Sequence, residues 1–388
     1  MLSPFTIKNK QLSFQRFPIA QVNRSLQAWD AADEFLINYL NEQELLTDNN
    51  KHLVIFNDSF GALSLSCCLQ QTTSITDSYV SQQGLILNQQ ANQLNDYPIN
   101  LLTSLDKLPE KADIILYKIP KSKALLIDQL IQIKIFSNNN RLNNTLFIAA
   151  ARTKDIHSST LKLFEKYLGD TSTSLAVKKA RLVFCQFNSK QQVASSPVTT
   201  WLLENTTFNI ANYANVFARE QLDIGARFFI EHLPTLAENS QVIDLGCGNG
   251  VIGLSLLAKQ QAASKNSVQL TFIDESFMAV ASAQLNIKNN LPQHQSQCQF
   301  SCNDCLTAID DESADLILCN PPFHQQQAVT DHIAWQMFQD SYRVLKKGAE
   351  LRIIGNRQLG YHVKLERLFK STTLIASNKK FVIISAIK

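Results

Sequence analysis

Three separate stretches of this chain occur twice, and the duplication limits the possible folds more than any other feature. Asp30-Ala31-Ala32-Asp33-Glu34-Phe35-Leu36-Ile37 is answered by Asp223-Ile224-Gly225-Ala226-Arg227-Phe228-Phe229-Ile230, and Ala112-Asp113-Ile114-Ile115-Leu116 by Ala314-Asp315-Leu316-Ile317-Leu318. Arg152 through Phe164 reads opposite Arg357 through Phe369 without a gap, pairing His157 with His362 and Leu163-Phe164 with Leu368-Phe369. A repeat of this extent is structural rather than compositional. The chain is therefore a duplicated fold, and 388 residues suffice for two domains.

Within each copy short apolar runs alternate with helical patterns. Residues 1–23 read as an extended arm or short strand, and the spacing Leu26, Trp29, Ala32, Leu36, Leu40 predicts an amphipathic helix from Leu26. Leu53–Phe56, Ser74–Asp77, Asp113–Tyr117 and Leu146–Ala149 read as strands, with a helix from Ala62. In the second copy Asp223 caps a helix that Pro234 ends after Leu233. Strands follow at Gln241–Leu245, Val268–Asp274, Gln299–Ser301, Asp315–Cys319, Glu350–Ile354 and Lys380–Ile384, with a helix over Val251–Ala258. Such alternation predicts open α/β sheets. The polar, aperiodic residues 188–200 read as the linker or its edge.

The copies differ where chemistry would sit. Asp244, Gly246 and Gly248 face Ile55, Asn57 and Ser59, and Asn320-Pro321 faces Lys118-Ile119. One copy has lost the site, which makes the second catalytic. The first is left as a scaffold or binding module with a basic rim of Lys118, Lys121, Lys123, Arg152 and Lys154. Residues 1–195 carry 20 Lys+Arg against 16 Asp+Glu, whereas residues 196–388 carry 16 against 17. The surplus suggests phosphate contacts without locating them.

In the second copy Asp315-Leu316-Ile317-Leu318-Cys319 is a buried strand that Pro321 and Pro322 forbid from continuing. Asn320 is left at its carboxyl end. Its amide oxygen and a nearby carbonyl can accept from a planar NH2 group, and Phe323 offers a face for a flat ring. A plain strand-ending turn explains Asn-Pro equally well on its own.

The loop Asp244-Leu245-Gly246-Cys247-Gly248-Asn249-Gly250 lets a backbone pass close to a ligand and ends at a helix N-terminus. Asp274 ends the next strand, placed for both hydroxyls of a ribose, and Asn303-Asp304 follow the third, where Asp304 could accept from an adenine amine. Gly248-Asn249-Gly250-Val251-Ile252-Gly253 also fits a dinucleotide fingerprint. Asp244 would oppose a pyrophosphate but meets the amino-acid end of S-adenosylmethionine, which favours that cofactor. Cys298, Cys302 and Cys305 have the spacing of a radical-enzyme iron–sulfur cluster, but they straddle a strand in a domain whose loops describe another site, so they read as buried or edge thiols and no metal is expected. His324, Phe217 and Asp223 are further candidates to line the pocket, and Trp335 and Phe338 read as core. No apolar run reaches membrane-spanning length, and the eight cysteines show no disulfide framework. A cytoplasmic protein with reduced thiols, without a membrane partner, is expected.

With these residues assembled, the chain resembles the class I S-adenosylmethionine-dependent methyltransferases, and among them the bacterial ribosomal RNA guanine-N2 methyltransferases built from two tandem Rossmann-like folds. Leu26 through Glu34, Asn57 through Ser64, Asp155 through Leu161 and Cys319 through Gln326 carry the likeness. It implies a degenerate methyltransferase-like domain over residues 1–195 and a catalytic domain over 196–388. It also implies a monomer that methylates guanine N2 in 23S ribosomal RNA, with Asn320, Pro321, Pro322 and Phe323 at the amine. A 16S ribosomal RNA enzyme of the same architecture, a protein glutamine methyltransferase and a non-catalytic RNA-binding protein are the other readings.

Overall fold

From Val242 to Leu245 the strand Gln241–Leu245 is buried on both sides, as a strand must be when helices cover both faces of its sheet, and it lies at the centre of one. In a computed structural model describing residues 3–7, 10–19, 27–140, 145–188, 198–263, 267–322 and 328–388, the chain divides into two units, Met1–Pro197 and Val198–Lys388. In the second unit seven strands lie in the order Cys298–Cys302, Gln269–Asp274, Gln241–Leu245, Ala314–Cys319, Leu345–Asn356, Phe381–Ile387, Ser371–Ser377. The first five are mutually parallel and Phe381–Ile387 runs against them. The order reverses between Gln241–Leu245 and Ala314–Cys319, where α/β sheets open a crevice beyond the carboxyl ends of the strands.

The first unit repeats this arrangement: Ile99–Thr103, Gln71–Thr76, His52–Phe56, Ile114–Lys118, Leu146–Arg152, Ala180–Cys185, Thr171–Thr173. Phe56 stands opposite Tyr117 as Leu245 stands opposite Cys319, so Lys118 occupies the position of Asn320. Side chains alternate between two cores on the faces of each sheet: Val242, Leu316 and Leu318 point to one and Ile243, Leu245 and Ile317 to the other. Leu53 and Ile55 against Val54 and Phe56 do the same in the first unit.

Asp30 and Asp223 are both N-caps, which accounts for the first repeated stretch. Asp30 and Asp33 form a reciprocal capping box, so the helix begins at Ala31 and not at Leu26, which lies outside the described residues. The helix after Asp223 ends at Ile230. The third repeat is shifted by one residue: the 3-10 turn Thr153–Asp155 corresponds to Arg357–Leu359, so Thr153 rather than Arg152 matches Arg357. Residues 189–197 of the expected linker are not described, and by Thr199 the chain is already in strand Thr199–Leu202. The N-terminal arm is a hairpin of Ser3–Ile7 and Lys10–Phe14.

A ladder not evident from the sequence fixes the entry to the second unit. The N–H groups of Asn209, Ala211, Tyr213 and Asn215 donate to Asn290 Oδ1, Asn286 Oδ1, Ser282 Oγ and Met278 Sδ, at 2.8, 2.7, 3.0 and 3.3 Å. Every second residue of an extended chain thus meets every fourth residue of helix Phe277–Asn290, because four helical residues rise about 6 Å and two extended ones about 6.6 Å. Two rungs recur in the first unit, where Ser13 and Gln15 donate to Asn92 and Asn88.

Candidate active site

The carboxyl ends of four parallel strands bring together most of the residues singled out above. After Leu245 the chain turns through Gly246, Gly248 and Gly250 at φ +70°, +55° and +74°, conformations that L side chains adopt only under strain. Gly246 and Cys247 donate to the Ile273 carbonyl at 2.8 and 3.0 Å, tying the loop to the next strand. A side chain at Gly248 would meet nothing within 4 Å, so the loop has open space beside it. A Gly246 Cβ would stand 4.0 Å from the Asn320 carbonyl oxygen. Gly253 is different: its Cβ would fall 2.4 Å from the Phe272 ring, so the last glycine of the dinucleotide-like pattern serves helix–strand packing.

Asp244 is buried and accepts from the Gly253 N–H at 2.9 Å. Burial, reinforced by the neighbouring charge of Asp274, pushes its pKa up to about 7. Asp274 accepts from Gly248 at 2.9 Å and from Ser276 at 3.0 Å, so the second strand end and the glycine loop hold one another; burial raises its pKa as well. Asn249 is clamped by Asn212 and Asn286, and Cys247 is buried.

Asn303 and Asp304 follow strand Cys298–Cys302, with Asn303 Oδ1 accepting from Thr307. Burial lifts the Asp304 pKa, a hydrogen bond from Gln336 opposes this, and Asp340 adds to it. Among the described residues Asn303 Nδ2, Asp304 Oδ2 and Asn320 Oδ1 are buried without a hydrogen-bond partner. Native structures rarely leave such atoms unpaired, and each costs about 1–3 kcal/mol when they do. One donor and two acceptors at adjoining strand ends, above an open glycine loop, match the hydrogen-bonding edge of an adenosyl group and an incoming amine. The residues present fit S-adenosylmethionine.

Pro321 is buried and Pro322 exposed, while Phe323 and His324 lie outside the described residues. Asp223 caps its helix by accepting from Ala226, and Phe217 is exposed. Phe338 is core and Trp335 half-buried. Cys298 and Cys302 lie at the two ends of one strand, and no group of three His, Cys, Asp or Glu side chains among the described residues could hold a metal ion. No helix of the described residues is long and apolar enough to cross a membrane.

In the first unit the corresponding space is filled from within. Asn57 takes the place of Gly246, at φ +60° and with the same bond to the neighbouring strand, Asn57 N–H to Ile75 carbonyl at 2.8 Å. Its amide reaches the Lys118 carbonyl and forms a reciprocal pair with Gln129, which Tyr117 and Ser104 complete. Lys118 is no part of an exposed rim: its ammonium is 2.8 Å from Asp30 and 2.6 Å from Asp33. Arg152 is likewise paired, with Asp155. Nothing in the sequence marked Gln129 or Ser104, which come from elsewhere in the unit.

Residues 2–189 match the family described as the RLMG N-terminal domain and residues 207–385 the methyltransferase small domain. The fold is like that of the solved T. thermophilus 16S rRNA N2 methyltransferase RsmC in complex with AdoMet and guanosine, with a TM-score of 0.76 at 17% identity over 100% of this chain and 98% of that one. Proteins named ribosomal RNA large subunit methyltransferase G are much closer in sequence. That of Colwellia psychrerythraea is 59% identical over the full length of both chains, and that of Pseudoalteromonas translucida 49% over 98% of this chain and 97% of its own. Vibrio vulnificus has one at 47% over the whole of both. With a duplicated class I fold, a glycine loop and acidic strand ends that fit the cofactor, and full-length identity of this order, the chain belongs to the ribosomal RNA large subunit methyltransferase G family of S-adenosylmethionine-dependent enzymes.

Proposed function

We propose that the second unit transfers a methyl group from S-adenosylmethionine to the exocyclic N2 of a guanine in 23S ribosomal RNA, and that the first unit is a scaffold for RNA recognition. The observation that carries this reading is Asn320 Oδ1, a buried acceptor without a described partner at the end of a central strand, beside the glycine loop whose Gly248 faces open space. A planar amine supplies the missing donor. The names of the full-length relatives support the choice of large-subunit RNA.

The cofactor contributes a methyl group already activated on a sulfonium. Asp274, pinned by backbone N–H groups, holds the ribose; Asn303 and Asp304 meet the adenine edge; Asp244 meets the amino-acid end. Gly246, Cys247, Gly248, Asn249 and Gly250 carry the backbone past the ligand. Asn320 Oδ1 and the Pro321 carbonyl each accept one amine hydrogen, which draws the nitrogen lone pair out of conjugation with the ring and aims it for attack. Pro322 keeps that turn rigid, and Phe323 stacks on the extruded base. No side chain need act as a base, because the nitrogen can shed its proton to solvent after the methyl group is attached. In this reading the enzyme works as a monomer in the cytoplasm, on naked or partly assembled 23S RNA.

Transfer of labelled methyl to 23S and 16S RNA, each naked and in its subunit, followed by nucleoside analysis, tests the proposal. Label in N2-methylguanine from 23S RNA is expected. Label in 16S RNA alone moves the target to the small subunit, and label in no RNA despite bound cofactor points to a protein amide.

A further inference from the structure

The last hairpin of the second unit turns at the same end of the sheet as Asn320. Ile353 stands opposite Cys319 in the parallel pair, and three residues further on Asn356 pairs with Phe381 on the antiparallel return. The turn Asn378-Lys379-Lys380 therefore stands beyond the carboxyl ends of the strands. It is two strand positions from Asn320, about 10 Å sideways at the usual strand spacing.

The turn is tightly framed. Asn378 Oδ1 accepts from the N–H groups of Lys380 and Phe381 at 2.9 and 2.8 Å, and Asn378 N–H donates to the Phe381 carbonyl at 2.9 Å. Arg357 donates its N–H to the Lys380 carbonyl and Nη1 to the Asn378 carbonyl, both at 3.0 Å. Arg357, Lys379 and Lys380 are all exposed, and none forms an ion pair among the described residues.

The first unit supplies the contrast. Its turn Val177-Lys178-Lys179-Ala180 is anchored alike, by Thr153 N–H to the Lys179 carbonyl at 2.8 Å. There, however, Lys178 is paired with Glu34 and nearby Arg152 with Asp155, which leaves Lys179 as the one lysine of that turn without an ion pair among the described residues. Neutralised cations release few counterions to a polyanion, whereas on the Asn378 turn the Lys380 ammonium lies 5.2 Å from the Phe381 ring centroid and Arg357 Nη1 meets a neutral carbonyl, contacts that leave both charges uncompensated.

We propose that Arg357, Lys379 and Lys380 contact phosphates of the RNA strand that enters the site at Asn320, so that a principal polyanion contact lies on the catalytic unit although the net basic surplus lies on the other. This rests on the reading of the substrate as RNA.

The test is binding of 23S RNA transcript by the full chain and by Lys379→Ala/Lys380→Ala, titrated over KCl from about 50 to about 200 mM. The double variant is expected to bind RNA more weakly at the lowest salt, with a log–log salt slope shallower by about 1.5, from about 0.7–0.9 per lost contact. Its S-adenosylmethionine affinity should match the parent, and Lys379→Arg/Lys380→Arg should restore the slope. Equal slopes for parent and double alanine variant overturn the assignment. A changed slope with no methyl transfer to any ribosomal RNA by either protein leaves the phosphate contact standing and overturns the substrate reading instead.

Discussion

Asn57 reaches Lys118 across the first unit's central strands, its side-chain amide 2.9 Å from the lysine carbonyl, whereas in the second unit a Cβ at Gly246 would stand 4.0 Å from the Asn320 carbonyl oxygen and 3.2 Å from Met337 Cε. The two positions share a left-handed backbone and the same bond to the adjoining strand, and differ in the side chain and in what faces it, Gln129 at Asn57 and Met337 at Gly246.

Gly246→Asn should therefore close the cofactor site without unfolding the unit, because asparagine tolerates positive φ. The expected outcome is an S-adenosylmethionine affinity lowered by at least about 100-fold, near 3 kcal/mol, with the unit still folding cooperatively, since the close neighbour of the new Cβ is the flexible end of Met337, 3.2 Å away. Calorimetric titration and a melting curve on the same sample check both; a variant that binds cofactor normally would show that the ligand does not pass over this loop.

Asn320→Ala is expected to lower turnover by about 100- to 1,000-fold, the usual loss for one well-placed polar group in a transition state. Cofactor affinity should persist. Single-turnover methyl transfer with saturating RNA separates the two, and equal loss of both would remove Asn320 from the amine's side of the reaction.

Asp244 gives a pH signature. Its pKa is raised to about 7 by burial first and by Asp274 second, so it is neutral below that pH and ionised above it. The raised value means that its ionisation disfavours the folded state as pH climbs from the ordinary carboxylate range through 7. A cationic amino-acid end requires the ionised form. Cofactor affinity should accordingly rise with pH up to about 7 and then level off, with proton release on binding below it. Titration in buffers of differing ionisation heat reads the proton directly, and Asp244→Asn should flatten the profile; a flat profile in the parent would sink the contact.

In the first unit burial raises Asp33 to about 6 despite Lys118, while Asp33 and Asp30 outweigh burial at Lys118 and hold its pKa high. Lys118→Met leaves a buried carboxylate without its ammonium and should cost about 3–5 kcal/mol. Since protonated Asp33 no longer needs the partner, the deficit should shrink well below pH 6 and be full well above it. Urea midpoints on the two sides of that value test this.

The central strands of both sheets could be read from the sequence because parallel strands buried on both faces leave apolar runs, and the glycine loop because its backbone tolerates few other residues. Most expected strands lie within three residues of those observed, Leu345–Asn356 runs well beyond its apolar segment, and Ile99–Thr103, Thr171–Thr173, Ala180–Cys185, Thr199–Leu202, Asn209–Asn212 and Ser371–Ser377 were not expected at all. What could not be read were edge strands such as Ile99–Thr103, Thr171–Thr173 and Ser371–Ser377, which are half-buried or exposed and leave no apolar run, and whatever is built from distant polar partners. Lys118 looked like a surface cation because a run of neighbouring residues does not show that Asp30 and Asp33 come round to meet it. Asn286, Gln129 and the turn at Asn378 were equally silent, since each acts through backbone groups far along the chain. The helix start was misplaced to Leu26 because apolar spacing extends past a cap that only Asp30 and Asp33 together define.

The ladder has a bearing on how the two copies diverged. Asn88 and Asn286 make the same pair of bonds, to Gln15 and Phe60 in one unit and to Ala211 and Asn249 in the other. The rivet beneath the loop is present in both units, while the glycine loop above it is present in one. Frame and loop are thus separable parts of this architecture: the sequence above the shared asparagine can change from glycine to asparagine and serine while the bonds beneath it stay in place.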